Sequence, residues 1–259
     1  MTQFLTGVFY FYIKMKDNFS VQSAQYARFR PSYPPVLYEY IFSHVPEKHT
    51  AWDCATGNGQ AAIALASRFE QVFATDMSQR QIDNATRAAN IFYSVQPAEQ
   101  TSFPGDSFDL ITVAQALHWF RFESFYNEVR RVAKPSAVLA CWSYSLVHIS
   151  PGIDEITHDF HYNAMSSYWD EERKWVDEGY QTIPFVFEKM STPEFYIEVE
   201  WTTEQLAGYL GTWSSVQKFI SMHQYNPVDE ILTRIKPLWK SDRMKARFPL
   251  HLLMAQIRK

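Results

Sequence analysis

Residues Ala51 to Gln60 read A-W-D-C-A-T-G-N-G-Q, and an alanine-rich segment, Ala61 to Ala66, follows directly. A short apolar run ends in Asp53, small residues make a tight turn, and a helix opens. Glycines in such a turn let the backbone come close to a ligand, and the free N–H groups of the helix start face it. The next apolar run, Val72-Phe73-Ala74-Thr75, ends in Asp76. A carboxylate about 20 residues past the turn stands where ribose hydroxyls are commonly gripped. The plainer alternative is a strand-to-helix turn that binds nothing. The turn, its flanking elements and the second acid together favour a nucleotide-like ligand.

The rest of the chain extends this α/β pattern. Pro34-Pro35 opens a helix with Val36, Leu37, Tyr40 and Ile41 on one face. The helix after the turn is expected to run to about Phe69. A further helix, N-capped by Ser78, is expected to reach about Asn90. Phe92 to Gln96 reads as a third strand. The continuous apolar run Leu110 to Ala114 suits a central parallel strand covered on both faces. Phe122, Phe125, Tyr126, Val129 and Val132 fall at helical spacing, Lys134-Pro135-Ser136 turns the chain, and Ala137 to Trp142 is a fifth strand. Five strands with four interposed helices predict a doubly wound sheet. Beyond Tyr144 the pattern changes to helical material rich in His, Tyr and Trp. A strand at Phe195–Trp201, helices around Leu206, Ser214–Ile220 and Val228–Trp239, and a closing strand from Phe248 complete the chain.

At 259 residues the chain can hold one large domain or a core with a cap, and its 8 Trp, 15 Tyr and 20 Phe leave rings for a pocket. A net charge of −4 argues against broad nucleic-acid binding. Cys54 and Cys141 lie in apolar runs and read as buried thiols of a reducing, cytoplasmic compartment. No run is long enough to span a membrane. Met1 to Lys14 lacks a basic start and a cleavage site, which disfavours a secretory signal; residues 1–17 read as a disordered or misannotated leader, with Met15 the candidate true start.

The ordered set Asp53-x-Ala55-x-Gly57-x-Gly59, Asp76-Met77-Ser78, Ala98-Glu99 and Phe108-Asp109-Leu110 resembles the class I S-adenosylmethionine-dependent methyltransferases. Tyr26…Arg30-Pro31-x-Tyr33-Pro34, Ala114-Gln115-Ala116-Leu117-His118-Trp119-Phe120 and Thr203-Glu204-Gln205-Leu206 resemble the branch that contains trans-aconitate methyltransferases. The implied fold is α/β: a doubly wound, seven-stranded, mostly parallel, Rossmann-like sheet with a helical cap inserted after the fifth strand. The implied divisions are 18–145 for the cofactor-binding core, 146–192 for the substrate cap, and 193–259 for strands and helices completing the core.

The resemblance implies S-adenosyl-L-methionine as cofactor. Asp53, Ala55, Gly57 and Gly59 would cradle its methionine portion, Asp76 its ribose, Met77 the adenine face, and Ala98 with Glu99 the adenine edge. Ala114 and Gln115 would lie beside the sulfonium, with Tyr26 and Arg30 folding over from the N-terminal side. Ala55 stands where the family usually has its first glycine, and a methyl is tolerable there if φ stays negative. Pro97 replaces an acidic residue often found before Ala98, and Lys134-Pro135-Ser136-Ala137 lacks a common glycine.

Methyl transfer is an in-line displacement that chiefly needs alignment and exclusion of water. A carboxylate acceptor needs no base, whereas a phenol, amine or carbon acid benefits from one. His118, just past the fourth strand, is the candidate base, or else pocket wall together with Trp119. Arg30, and after it Arg28, is a candidate for pairing a substrate carboxylate, or else pins an N-terminal lid. Tyr33, Trp142, Tyr144, Trp169 and Trp213 are candidates for an aromatic substrate pocket, or for core. His158-x-x-His161 lacks a third metal ligand, so no metal is expected. The expected partner is a small-molecule methyl acceptor, with no nucleic acid or membrane, on a monomer or homodimer. A macromolecule methyltransferase and a non-catalytic S-adenosylmethionine-binding protein are the alternatives. A nicotinamide dehydrogenase is disfavoured, because the turn lacks G-x-G-x-x-G spacing.

Overall fold

A computed structural model describes residues 28–259. Tyr26 and the leader, residues 1–17, lie outside the described residues. Pro35 opens α1 (Pro35–Ser43), whose Leu37, Tyr38, Ile41 and Phe42 are buried. Then come β1 (Thr50–Cys54), α2 (Gln60–Ala66), β2 (Gln71–Asp76), α3 (Gln79–Asp83), β3 (Ile91–Val95) and β4 (Phe108–Ala114). A 3₁₀ turn at Leu117–Trp119, α4 (Phe122–Val132) and β5 (Ala133–Tyr144) follow, and β6 (Phe195–Trp201) and β7 (Met244–Gln256) come near the end.

The strands form one seven-stranded sheet in the order β3-β2-β1-β4-β5-β7-β6. Strands β1 to β5 pair in parallel, and β7 runs antiparallel to both its neighbours. Both faces are covered, as the unbroken apolar strands require. Alternate residues serve opposite faces. Ala51, Val72 and Leu110 pack with Leu37, Ile41 and Leu65 of α1 and α2. Trp52, Ile111 and Val113 pack with Phe125, Val129 and Val132 of α4. The chain winds outward from β1 to β3, then returns to β4 on the other side of β1. The crevice at the carboxyl ends of β1 and β4 is therefore the switch point where open α/β sheets bind ligands.

Three local expectations differ from the structure. Helix α3 ends at Asp83, not near Asn90. The Asn84 side chain donates to the Arg80 carbonyl, and Thr86 N–H donates to the Asn58 carbonyl at 3.0 Å, which ties this segment to the glycine turn instead of to another helical turn. No helix joins β3 to β4; the fourth helix of the winding is α1, ahead of β1. The connection is held by side chains, with Glu128 accepting from Thr101 N–H and Gln96 from Ser102 N–H, each at 2.7 Å. Lys134-Pro135-Ser136 stays within β5, where Ser136 takes φ of 67° beside a register shift between Phe108 and Leu110.

After β5 come α5 (Pro151–Asp159), a π-helical turn at Phe160–Ala164, a 3₁₀ turn at Ser166–Tyr168 and α6 (Arg173–Asp177). Helix α7 (Thr203–Gly211) starts at a reciprocal cap: Thr202 Oγ1 accepts from Gln205 N–H, and Gln205 Oε1 accepts from Thr202 N–H. Helices α8 (Ser214–His223) and α9 (Val228–Ile235) precede β7. Among the described residues no helix is long and apolar enough to cross a membrane, and no group of three or more His, Cys, Asp or Glu could hold a metal.

Candidate active site

The glycine turn leaves the end of β1 with three successive demands on the backbone. Gly59 caps α2 at φ of 83°, and a Cβ there would lie 2.3 Å from Tyr93 Oη. Gly57 has φ of 55°, and a Cβ there would meet nothing within 4 Å. That side of the turn opens to space, so a ligand can reach the bare backbone. Ala55 also lies in the left-handed region, at φ of 54°, so the negative φ that would make its methyl easily tolerated is not met. For an L-residue with a side chain this region costs about 1–2 kcal/mol.

Asp53 is buried and its oxygens are engaged. Thr56 Oγ1 donates at 2.5 Å, Thr112 Oγ1 at 2.9 Å, and the Ala62 backbone N–H also donates. The carboxylate thus ties the turn to β4 and to the start of α2. Burial raises its pKa to about 6 against these hydrogen bonds, and the nearby Asp76 charge adds to the rise. At the end of β2, the Asp76 carboxylate accepts from Gly57 N–H at 2.9 Å and from Ser78 N–H at 2.8 Å. An ionised carboxylate has about four acceptor directions and so serves several donors at once, as gripping a ribose diol requires. Next to it Met77 is half exposed, as a residue lying on an adenine face would be. Ala98 is buried, and Glu99 Oε1 accepts from Arg121 N–H at 3.0 Å, which fastens the start of α4. The bare backbone at Gly57, the held carboxylate of Asp76 and the exposed Met77 fit the cofactor that the resemblance implies.

Ala114 ends β4, and Gln115 takes φ of 56° while donating its N–H to the Trp142 carbonyl at 2.8 Å. Register pairs Cys54 with Val113, so Gln115 leaves the sheet beside the glycine turn. Gln115 Oε1 is buried with no hydrogen-bond partner among the described residues. A buried orphan acceptor is costly, and a ligand cation or N–H would relieve it. Gln115, His118, Trp119 and Arg30 line a narrow cavity of about 50 Å³. Arg30 donates to Tyr144 Oη at 2.8 Å and to the Thr212 carbonyl at 3.3 Å, and sits over the Tyr209 ring.

His118 is buried, its Nδ1 2.9 Å from Tyr180 Oη. Burial and the nearby Arg173 charge lower its pKa to about 3, so the ring is neutral at physiological pH. The far wall comes from residues the sequence did not single out as a site: Asp170, Arg173, Val176 and Ser214, together with Trp169. Helix α6, which carries Arg173 and Val176, packs on the 3₁₀ turn that carries His118. The i,i+4 spacing of Arg173 and Asp177 hints at an ion pair, but nothing local says that it borders a cavity.

Tyr33, Tyr144 and Trp213, expected in the substrate pocket, are not among the described residues that line this cavity. Tyr33 packs edge-on against Trp142, and Tyr144 braces Arg30 through its hydroxyl. Trp213 is buried in a cluster with Phe160, His161, Trp169 and Tyr209. Their rings serve packing behind the wall.

Comparison with known proteins agrees with this geometry. The family profile described as a methyltransferase domain matches residues 52–141, which hold the glycine turn and β1 to β5 as far as Cys141. A Dictyostelium discoideum protein described as a methyltransferase is 34% identical over 252 residues, covering 94% of this chain and 96% of its own length. A solved structure described as a type II methyltransferase from Anaeromyxobacter dehalogenans has 35% identity and a TM-score of 0.82, covering 89% of this chain and 99% of that one. A Saccharomyces cerevisiae protein described as an S-adenosylmethionine-dependent methyltransferase is 27% identical over 136 residues, covering 49% of this chain and 47% of its own. The full-length relative, the matching solved structure and the cradle of Gly57 and Asp76 together place the chain in the class I S-adenosylmethionine-dependent methyltransferases.

Proposed function

We propose that the acceptor is a small molecule and that the methyl goes to a carboxylate oxygen. The observation that carries this reading is the cavity wall: two guanidinium groups, Arg30 and Arg173, flank a histidine that is buried and neutral. A cavity this narrow suits a small acceptor or the tip of one. Bound S-adenosylmethionine supplies an electrophilic methyl on a sulfonium. A carboxylate is already an anion at neutral pH, so it attacks without losing a proton, and no base is needed. A ring with a pKa of about 3 is a poor general base for a phenol or an amine. His118 and Trp119 then position the acceptor and exclude water, and the arginines draw the acid in. The resemblance to the branch containing trans-aconitate methyltransferases supports an acid acceptor as well.

The test uses cofactor labelled in the methyl group and a panel of small carboxylic acids with fractionated metabolite extracts. Methyl esters release labelled methanol in mild alkali, so base-labile volatile label is the expected product. Label that survives alkali, or that travels with protein or RNA, would point to another acceptor.

A further inference from the structure

Behind the cavity wall, one buried histidine holds both supports of Arg173. His161 lies in the π-helical turn Phe160–Ala164 and is fully buried. Such turns re-aim side chains and are frequent at functional sites. Its Nε2 is 3.1 and 3.2 Å from the two oxygens of Asp177. Nearby hydrogen-bond donors keep Asp177 below the usual carboxylate range, so it is an acceptor and His161 Nε2 carries the hydrogen. Nδ1 is then the bare nitrogen, consistent with its lack of any partner among the described residues. Asp177 Oδ1 in turn accepts from Arg173 Nε at 2.8 Å. On its flat face the Arg173 guanidinium lies 4.7 Å from the Trp169 ring centroid, and Trp169 Nε1 donates to the His161 carbonyl at 3.1 Å.

Arg173 is thereby fixed through its Nε and through its face. Its two terminal nitrogens make no hydrogen bond among the described residues, and the side chain borders the cavity. A guanidinium held in this way presents a planar two-pronged donor edge, which matches a carboxylate and not a neutral amide or an ammonium.

We infer that Arg173 is the residue that recognises the acceptor's carboxylate and that His161, through Asp177 and Trp169, is the positioning residue that holds it in register. This inference rests on the carboxylate reading of the cavity and assigns it to one side chain. His161 touches no substrate.

The test is calorimetry on the full chain saturated with S-adenosylhomocysteine, titrated with acetate, succinate, benzoate and their amides. The expected result is binding of at least one of these carboxylates, with its amide more than tenfold weaker. Arg173→Gln is expected to weaken that carboxylate by more than tenfold, and Arg173→Lys to recover only part, with S-adenosylhomocysteine affinity unchanged. His161→Phe is expected to weaken the carboxylate several-fold, whereas His161→Gln, which restores a donor toward Asp177, brings most of it back. Asp177→Asn is read alongside, so that poor folding of the Phe variant does not leave the question open. Failure of all three carboxylates to bind, equal binding of acid and amide, or full carboxylate affinity in Arg173→Gln would overturn the assignment. If methyl esters form equally well in Arg173→Gln, the proposed reaction stands and this inference falls. If Arg173 governs carboxylate binding but the labelled product resists alkali, the inference stands and the ester reaction falls.

Discussion

The backbone N–H of Gly57 donates to the carboxylate of Asp76 at 2.9 Å. The glycine turn after β1 and the end of β2, 19 residues apart in the chain, are thus fastened to each other. The Asp76 carboxylate in this way shapes the turn.

Asp76→Ala is expected to weaken S-adenosylmethionine binding by about 1–3 kcal/mol, the cost of lost hydrogen bonds to a charged group. Asp76→Asn should retain part of this, because its amide oxygen can still accept from one N–H. Titration calorimetry reads the difference, and an unchanged affinity in Asp76→Ala would remove the ribose role.

The two left-handed positions flanking Gly57 predict opposite outcomes. Ala55→Gly relieves the strain at φ of 54°, offset by a more flexible unfolded chain, and should stabilise by up to about 1 kcal/mol. Gly59→Ala should destabilise by more than about 1–2 kcal/mol, since strain at φ of 83° is joined by collision with Tyr93 Oη. Moving that hydroxyl also breaks its 2.6 Å hydrogen bond to the Thr86 carbonyl. Urea unfolding checks both, and Tyr93→Phe should recover part of the Gly59→Ala loss.

Asp53 sets a pH dependence of stability. Its carboxyl titrates near 3.8 in the unfolded chain and near 6 when folded, because burial disfavours the charge. Between these values the folded state keeps a proton that the unfolded state has released. Stability from this group is therefore full below pH 3.8 and falls as pH rises to about 6, by about 2–3 kcal/mol in all. The difference in unfolding free energy between the native chain and Asp53→Asn, followed from pH 3.5 to about 7, should fall by roughly this amount. A constant difference would show that hydrogen bonds from Thr56 and Thr112 cancel the burial cost.

His118 leaves a kinetic signature by its silence. With a pKa of about 3 it stays neutral across the working range, so kcat/KM should be flat from about pH 5.5 to 8 with respect to this ring. An inflection near the ordinary histidine value of about 6.5 that vanishes in His118→Asn would restore the general base.

The elements around the glycine turn were legible because their signals are local. Strand β1, the glycine turn and α2 follow one another without a break, and Asp76 marks the end of the next strand. Helix α3 shows where such reading stops. Its sequence favours continuation to Asn90, but Thr86 bonds to Asn58 of the glycine turn instead, a tertiary contact that propensity does not encode. The acceptor half was legible only in part. His118 and Trp119, expected at the substrate, line the cavity beside Gln115, expected at the cofactor, and Arg30, a candidate for either, whereas Tyr33, Tyr144 and Trp213, also expected at the substrate, do not line it.

The order of apolar runs, glycines and acids by itself determined the doubly wound sheet, because periodicity and turn chemistry act over a few residues at a time, and the motifs set along it carried the family resemblance that implies the methyl donor. Only the tertiary structure decided what lines the cavity. Arg173 reaches His118 because α6 packs against the turn after β4, and His161 reaches Asp177 because a π-helical turn re-aims it. Contacts between segments far apart in the chain depend on packing, and packing is settled by the whole fold at once.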